Sequence, residues 1–220
     1  MADNRILLHN ATYVITMDGE RRIIKDGSIL VENDRIAAVD KTIDTSQLKI
    51  NKVINAKDMV VTPGFINGHC HISYAHATRG IFPDDLGNDY LVNVFRLQDS
   101  MSSKEEFLTS LLAITELLSY GTTTILDPGS TKHVDLCMEA YEQTGVRLVT
   151  GIQVTDRENP YRMNVYSHDE ALQTTESFIR QYNGALEGKL HAWAMPFSPE
   201  YVGGPLLKDL KLLSDQLEVG

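Results

Sequence analysis

Residues 60–71 read Val60-Val61-Thr62-Pro63-Gly64-Phe65-Ile66-Asn67-Gly68-His69-Cys70-His71. An apolar, β-branched run is interrupted by Pro63-Gly64 and ends in two histidines at i and i+2. Side chains alternate along an extended chain, so both imidazoles point to one side and can reach one metal ion. Cys70 then points the other way and reads as packing. Imidazole suits zinc, iron, nickel or copper. A catalytic zinc site takes about three protein ligands and keeps a position open for water. The pair is therefore part of a site, and the plain alternative is two histidines in a turn. Context favours the metal. The run delivers the pair into a long loop holding His76, Arg79, Asp84 and Asp85, and barrel enzymes place their chemistry in such loops.

Before residue 60 the pattern is β. Arg5 to Ile15 alternates, and Asp18-Gly19 marks a turn. Ser28 to Val31 and Arg35 to Val39 are apolar runs separated by Glu32-Asn33-Asp34, a hairpin signal. These short strands predict a small sandwich or sheet over residues 1–60.

After residue 60 the period changes. Ser103 and Glu106 have capping-box spacing, and Phe107, Leu111, Ile114 and Leu118 recur at helical spacing up to Gly121. Thr122 to Leu126 is a β-branched strand closed by Asp127-Pro128-Gly129. A helix through Val134, Cys137, Met138 and Tyr141 ends at Gly145, and a strand runs from Val146 to Val154. Ser167 and Glu170 open the next helix, whose face is Ala171, Thr175, Phe178 and Tyr182. Leu190 to Met195 is a strand, and Leu206, Leu210, Leu213 and Leu217 trace a last helix. Alternating strands and helices mean βαβ units and a parallel sheet over residues 61–220. Four such units build half of a (β/α)8 barrel or an open doubly wound sheet. The dinucleotide signature Gly-x-Gly-x-x-Gly does not follow the first strand.

Composition bounds the function. The chain has 220 residues, is 42% hydrophobic and carries a net charge of −10, with a pI near 5.1. An acidic chain without a polybasic run disfavours nucleic acid or an anionic membrane as partner. Two cysteines, Cys70 and Cys137, make no disulfide framework and point to a reducing, cytoplasmic compartment. The N-terminus has no apolar stretch of signal-peptide length.

Pro63 to His71 resembles the first-strand motif of the amidohydrolase superfamily, and Gly27 to Asp40 (GSILVENDRIAAVD) resembles the N-terminal β-sandwich of those proteins. Arg79-Gly80 with Asp84-Asp85-Leu86 is similar to the first loop of one branch, and Gly121-Thr122-Thr123-Thr124 to its second strand. That branch holds triazine chlorohydrolases, methylthioadenosine/adenosylhomocysteine deaminases and guanine deaminases. The resemblance implies an α/β fold: the N-terminal half of a TIM-like barrel after a small β-sandwich. It implies a metal-dependent hydrolase in which His69 and His71 bind one divalent ion, zinc first and iron second. Metal-bound hydroxide would then cleave C–N or C–Cl on a small nitrogen heterocycle. The remaining ligands of the family come from strands 5, 6 and 8, beyond these 220 residues.

Strand 4 bears on the metal count. Binuclear relatives bridge their ions from the end of that strand. Here Lys189 lies at the wrong end and Glu200 four residues past Pro196, which favours one ion. Phe197 stands where adenosine-type deaminases carry a histidine, and Gln98 and Asp99 lie nearest the position of their ribose-binding glutamate. Both departures argue against a nucleoside substrate. His76, Gln98, Asp99 and Phe197 are the candidate substrate contacts, with Asp127 and Gln153 at strand ends facing the site. The full-length protein is expected to be a homo-oligomer and the half-length chain inactive by itself. The alternative class is a non-catalytic half-barrel that pairs with itself or a partner, since an open half-barrel exposes edges and an apolar face.

Overall fold

A computed structural model describes residues 4–220, the side chains of Asp84 and Asn88 excepted. The chain divides into two compact units, Met1–Gly64 and Phe65–Gly220.

In the first unit, β1 (Arg5–Ile15) pairs antiparallel with β2 (Ile23–Glu32), and β2 with β3 (Arg35–Asp40). The hairpin signal holds: Glu32 pairs with Arg35 across Asn33-Asp34, and Asn33 takes the positive φ that such tight turns need. On its other edge β1 pairs in parallel with β4 (Lys52–Asn55) and then β5 (Val60–Val61). The described residues thus form one five-stranded sheet, where a sandwich needs two packed sheets. Its core is small: Ala11, Val14, Ile29 and Ala56. Val60 and Val61, expected to lead into the second unit, register against Tyr13 and Val14. The first unit therefore runs four residues beyond the expected boundary at 60/61.

The second unit is built on parallel strands. β6 (Phe65–Asn67) is followed by α1 (Ala75–Thr78), α2 (Asn88–Ser100) and α3 (Ser103–Ser119). Then come β7 (Thr122–Leu126), α4 (Val134–Thr144), β8 (Arg147–Thr150), β9 (Gln153–Val154) and α5 (His168–Tyr182). The short α6 (Ala185–Gly188), β10 (Leu190–Ala192), β11 (Met195–Pro196) and α7 (Gly204–Gln216) complete it. The sheet order is β10-β8-β7-β6, with β9 and β11 continuing β8 and β10 as a second parallel pair. Space therefore follows sequence across the sheet. A doubly wound sheet reverses its order part-way, whereas a barrel does not.

Side-chain alternation gives this sheet two different faces. Ile125, Leu148 and Leu190 lie in register and are fully buried. They pack with Ala113 and Ile114 of α3, Cys137 and Tyr141 of α4, and Phe178 of α5. Full burial of such side chains contributes about 1.5–3 kcal/mol each. The opposite face carries Ile66, Thr124 and Arg147 in register, and Ile66 is 74% exposed.

Three local details differ from the sequence expectation. The capping box of α3 is Ser102 with Glu105, one residue early, while that of α5 is Ser167 with Glu170 as read. Glu106 is freed for another task. The third strand breaks at Gly151, where a Cβ would collide with the Trp193 carbonyl oxygen. The loop after β6 holds a full helix, α2, which buries Val94, Phe95 and Gln98. The side chain of Asp84, in the Asp84-Asp85-Leu86 motif, lies outside the described residues.

Candidate metal centre and its cavities

His69 and His71 lie just past the end of β6 rather than within it. The extended register persists nonetheless, because the Cys70 amide donates to the Leu126 carbonyl of β7 at 2.9 Å. Residues 69 and 71 flank that bond and turn their side chains the same way. Cys70 turns to the core. The two Nε2 atoms approach to 3.3 Å. Tetrahedral zinc with Zn–N bonds of about 2.0–2.1 Å holds two nitrogens roughly 3.3–3.4 Å apart. The pair thus has the spacing of two ligands to one ion.

The other face of His71 is anchored. Its Nδ1 lies 2.9 Å from Ser130 Oγ, and the Tyr74 ring stacks on it at 5.1 Å between centroids. Burial, and then the neighbouring His69, pushes the His71 pKa down to about 4. The ring is therefore neutral near pH 7, the form that binds metal.

Ser130 belongs to a loop ordered around a buried carboxylate. Asp127 ends β7 with no exposed surface. It accepts from the Gly129 and Ser130 amides and from the hydroxyls of Ser130 and Thr131. Burial pushes its pKa up to about 6 against the opposing pull of those donors. Gly129 sits at φ +82°, and a Cβ there would meet the Gly151 carbonyl oxygen at 2.9 Å. Glycine alone fits this turn and the approach to the next strand. From α3, Glu106 accepts from the Lys132 and His133 amides at 3.0 and 2.7 Å, fixing the end of the loop.

Two cavities adjoin these residues. The larger, about 810 Å³, is lined by His69 and His71 with Tyr74, Phe82, Tyr90 and Arg79 among others. The smaller, about 390 Å³, is lined by Gln98, Asp99, Ser130, Gln153 and Tyr161 among others. Ser130 links them, since it lines the second and bonds a histidine of the first.

The expected substrate contacts divide. Gln98 is 2% exposed. Its Nε2 donates to the Ser130 carbonyl at 2.7 Å and to Glu106 at 3.3 Å, while its Oε1 is buried without a partner. Asp99 pairs with Lys132 at the wall of the same cavity. Phe197 lies behind, ring-packed against Phe95, Tyr161 and Tyr201. His76 is elsewhere: its Nε2 is 2.9 Å from Glu116 and 2.9 Å from Arg79, and its Nδ1 is buried without a partner. Gln153 lines the smaller cavity, while Asp127 faces inward to its own loop. Sequence reading missed Ser130 and Tyr74. Among the described residues, no third His, Cys, Asp or Glu joins His69 and His71.

Residues 60–203 match the amidohydrolase family model. The chain belongs to the amidohydrolase family, a family of hydrolases. It is 30% identical over 228 residues to a 5'-deoxyadenosine deaminase of Methanobrevibacter smithii, covering 100% of this chain and 48% of that protein. A 5-methylthioadenosine/S-adenosylhomocysteine deaminase of Caldicellulosiruptor saccharolyticus is 30% identical over 221 residues, covering 98% and 47%. The chain thus spans about half the length of these curated relatives. Its fold superposes on a zinc complex of atrazine chlorohydrolase from Arthrobacter aurescens TC1 with a TM-score of 0.79 at 22% identity, covering 97% of this chain and 51% of that one. Such amidohydrolase neighbours have TIM-like barrels, and the present strand order fits their first half. No described helix is long and apolar enough to cross a membrane.

Proposed function

We propose that this chain carries the first half of the active site of a metal-dependent hydrolase, with His69 and His71 as two ligands of one divalent ion, zinc first. The observation that carries the reading is the 3.3 Å between their Nε2 atoms beside an 810 Å³ cavity. A bound ion of this kind activates water as a nucleophile and polarises the group under attack. Two protein ligands fall short of a catalytic set, so later strands of a longer chain supply the others.

The substrate is a small nitrogen heterocycle that loses an amino or chloro substituent. The names of the curated relatives favour the amino group. The larger cavity offers the aromatic walls Tyr74, Phe82 and Tyr90 to a flat ring. In the smaller one, Gln98 and Asp99 line the wall as polar contacts, and Phe197 packs behind the ring of Tyr161. Expression of the complete gene product and assay against 5'-deoxyadenosine, guanine and a chlorotriazine tests this. Zinc-dependent release of ammonia or chloride from one of them, lost in His69→Ala, is expected. Turnover unchanged by removal of either histidine would overturn it.

A further inference from the structure

The hydrogen bonds behind His71 specify which of its nitrogens carries the proton. Oδ1 of Asp127 already receives the Gly129 amide at 3.2 Å and the Ser130 amide at 3.5 Å, so it acts as an acceptor. Ser130 Oγ lies 3.3 Å from that same Oδ1. A serine hydroxyl has one proton to give, and here it goes to the carboxylate. The Ser130 oxygen is then left with lone pairs facing His71 Nδ1 at 2.9 Å. Only an Nδ1–H can satisfy that contact. Nε2 must be bare, and it is the atom that meets the Nε2 of His69. The relay is rigid as well as directional. Asp127 is also held by Thr131 at 3.2 Å, whose Oγ1 in turn lies 3.3 Å from the buried Tyr141 hydroxyl.

We propose that Ser130 and Asp127 are positioning residues that hold His71 in its Nδ1–H form and aim its bare Nε2 at the ion. The role of the ion rests on the ligand assignment above, whereas the tautomer does not. A hydroxyl between imidazole and carboxylate does here what a direct carboxylate partner does in many metal sites: it orients the ring and sharpens its basicity.

Two measurements test the relay, and the first needs no metal. Nitrogen-15 chemical shifts of His71 in metal-free wild-type protein at pH 7.5 report its tautomer. The Nδ1–H form is expected, and a predominant Nε2–H form overturns the proposal whatever happens to any variant. In Ser130→Ala the preference should weaken, and Ser130→Thr, which keeps the hydroxyl, should restore it. The second measurement is the zinc affinity of the complete gene product by competition with a chromophoric chelator, with circular dichroism to verify the fold. Loss of such an outer partner weakens metal binding about 10–100-fold. That loss is expected for Ser130→Ala and not for Ser130→Thr. Equal zinc affinity in wild type and a folded Ser130→Ala overturns the positioning role. A wild type that shows the Nδ1–H tautomer but takes up no zinc supports the relay and overturns the ligand assignment.

Discussion

Helix α3 carries two carboxylates that treat histidines in opposite ways. Glu106 is 1% exposed and touches no histidine ring. It holds the Lys132 and His133 amides and the Gln98 amide, and so steadies the loop whose Ser130 engages Nδ1 of His71. Glu116, on the open side of the same helix, takes Nε2 of His76 directly and adds Arg79. The first arrangement leaves a histidine with a free Nε2 beside a second one. The other leaves its Nε2 engaged and its Nδ1 buried without a partner. The two histidines thus differ in which nitrogen their surroundings leave unbound, and His76 stands apart from the pair.

The comparison breaks first at Glu106. Glu106→Ala removes the acceptor of two part-buried backbone amides and one partner of the Gln98 amide, which keeps the Ser130 carbonyl, and each unmet donor costs about 1–3 kcal/mol. Urea unfolding should show a loss of about 2–4 kcal/mol; a loss below about 1 kcal/mol would mean that water replaces the carboxylate and that the loop needs no anchor from α3.

Asp127 sharpens the picture through pH. Its pKa is raised from 3.8 to about 6 by burial, so the folded chain holds this proton more tightly than the unfolded one. The group's contribution to stability is full below about pH 4 and is lost as pH rises through 6. Asp127→Asn removes that titration. The stability of wild type relative to the variant should fall by up to about 3 kcal/mol between pH 4 and 7. A difference that stays flat across this window would show that the carboxyl ionises as if in water.

The smallest effect belongs to Glu116. Its side chain is 36% exposed; of its partners Arg79 is exposed and the His76 side chain is buried, but Arg79 still reaches the His76 ring at 2.9 Å when Glu116 is gone. Glu116→Ala should cost under about 1 kcal/mol in thermal unfolding. A larger loss would place His76 in a structural network equal to that of His71.

Much of this was legible in the chain. Periodicity switching after residue 60 gave the alternating strands and helices, and their sequential order is the order of the sheet. The His-x-His spacing alone implied convergence, which the Nε2 distance bears out. Other parts were hidden for physical reasons. Helix α2 buries Gln98 where an apolar residue would complete its face, so its pattern reads as a polar loop. Ser102 and Ser103 both offer a capping hydroxyl and Glu105 and Glu106 both offer its partner; the buried need for a carboxylate at 106 decides between them. Ser130 follows Asp-Pro-Gly like any turn serine, and its partner lies 59 positions away. Contacts of that range leave no local pattern.

The central claim is that His69 and His71 share one ion. Elemental analysis of the complete gene product purified without chelators, beside His69→Ala, His71→Ala and His76→Ala, tests it most directly. Close to one zinc or iron per chain in wild type and His76→Ala, and loss in the other two, is the predicted result. Metal retained after removal of His69 or His71, or absent from the wild type, would contradict it.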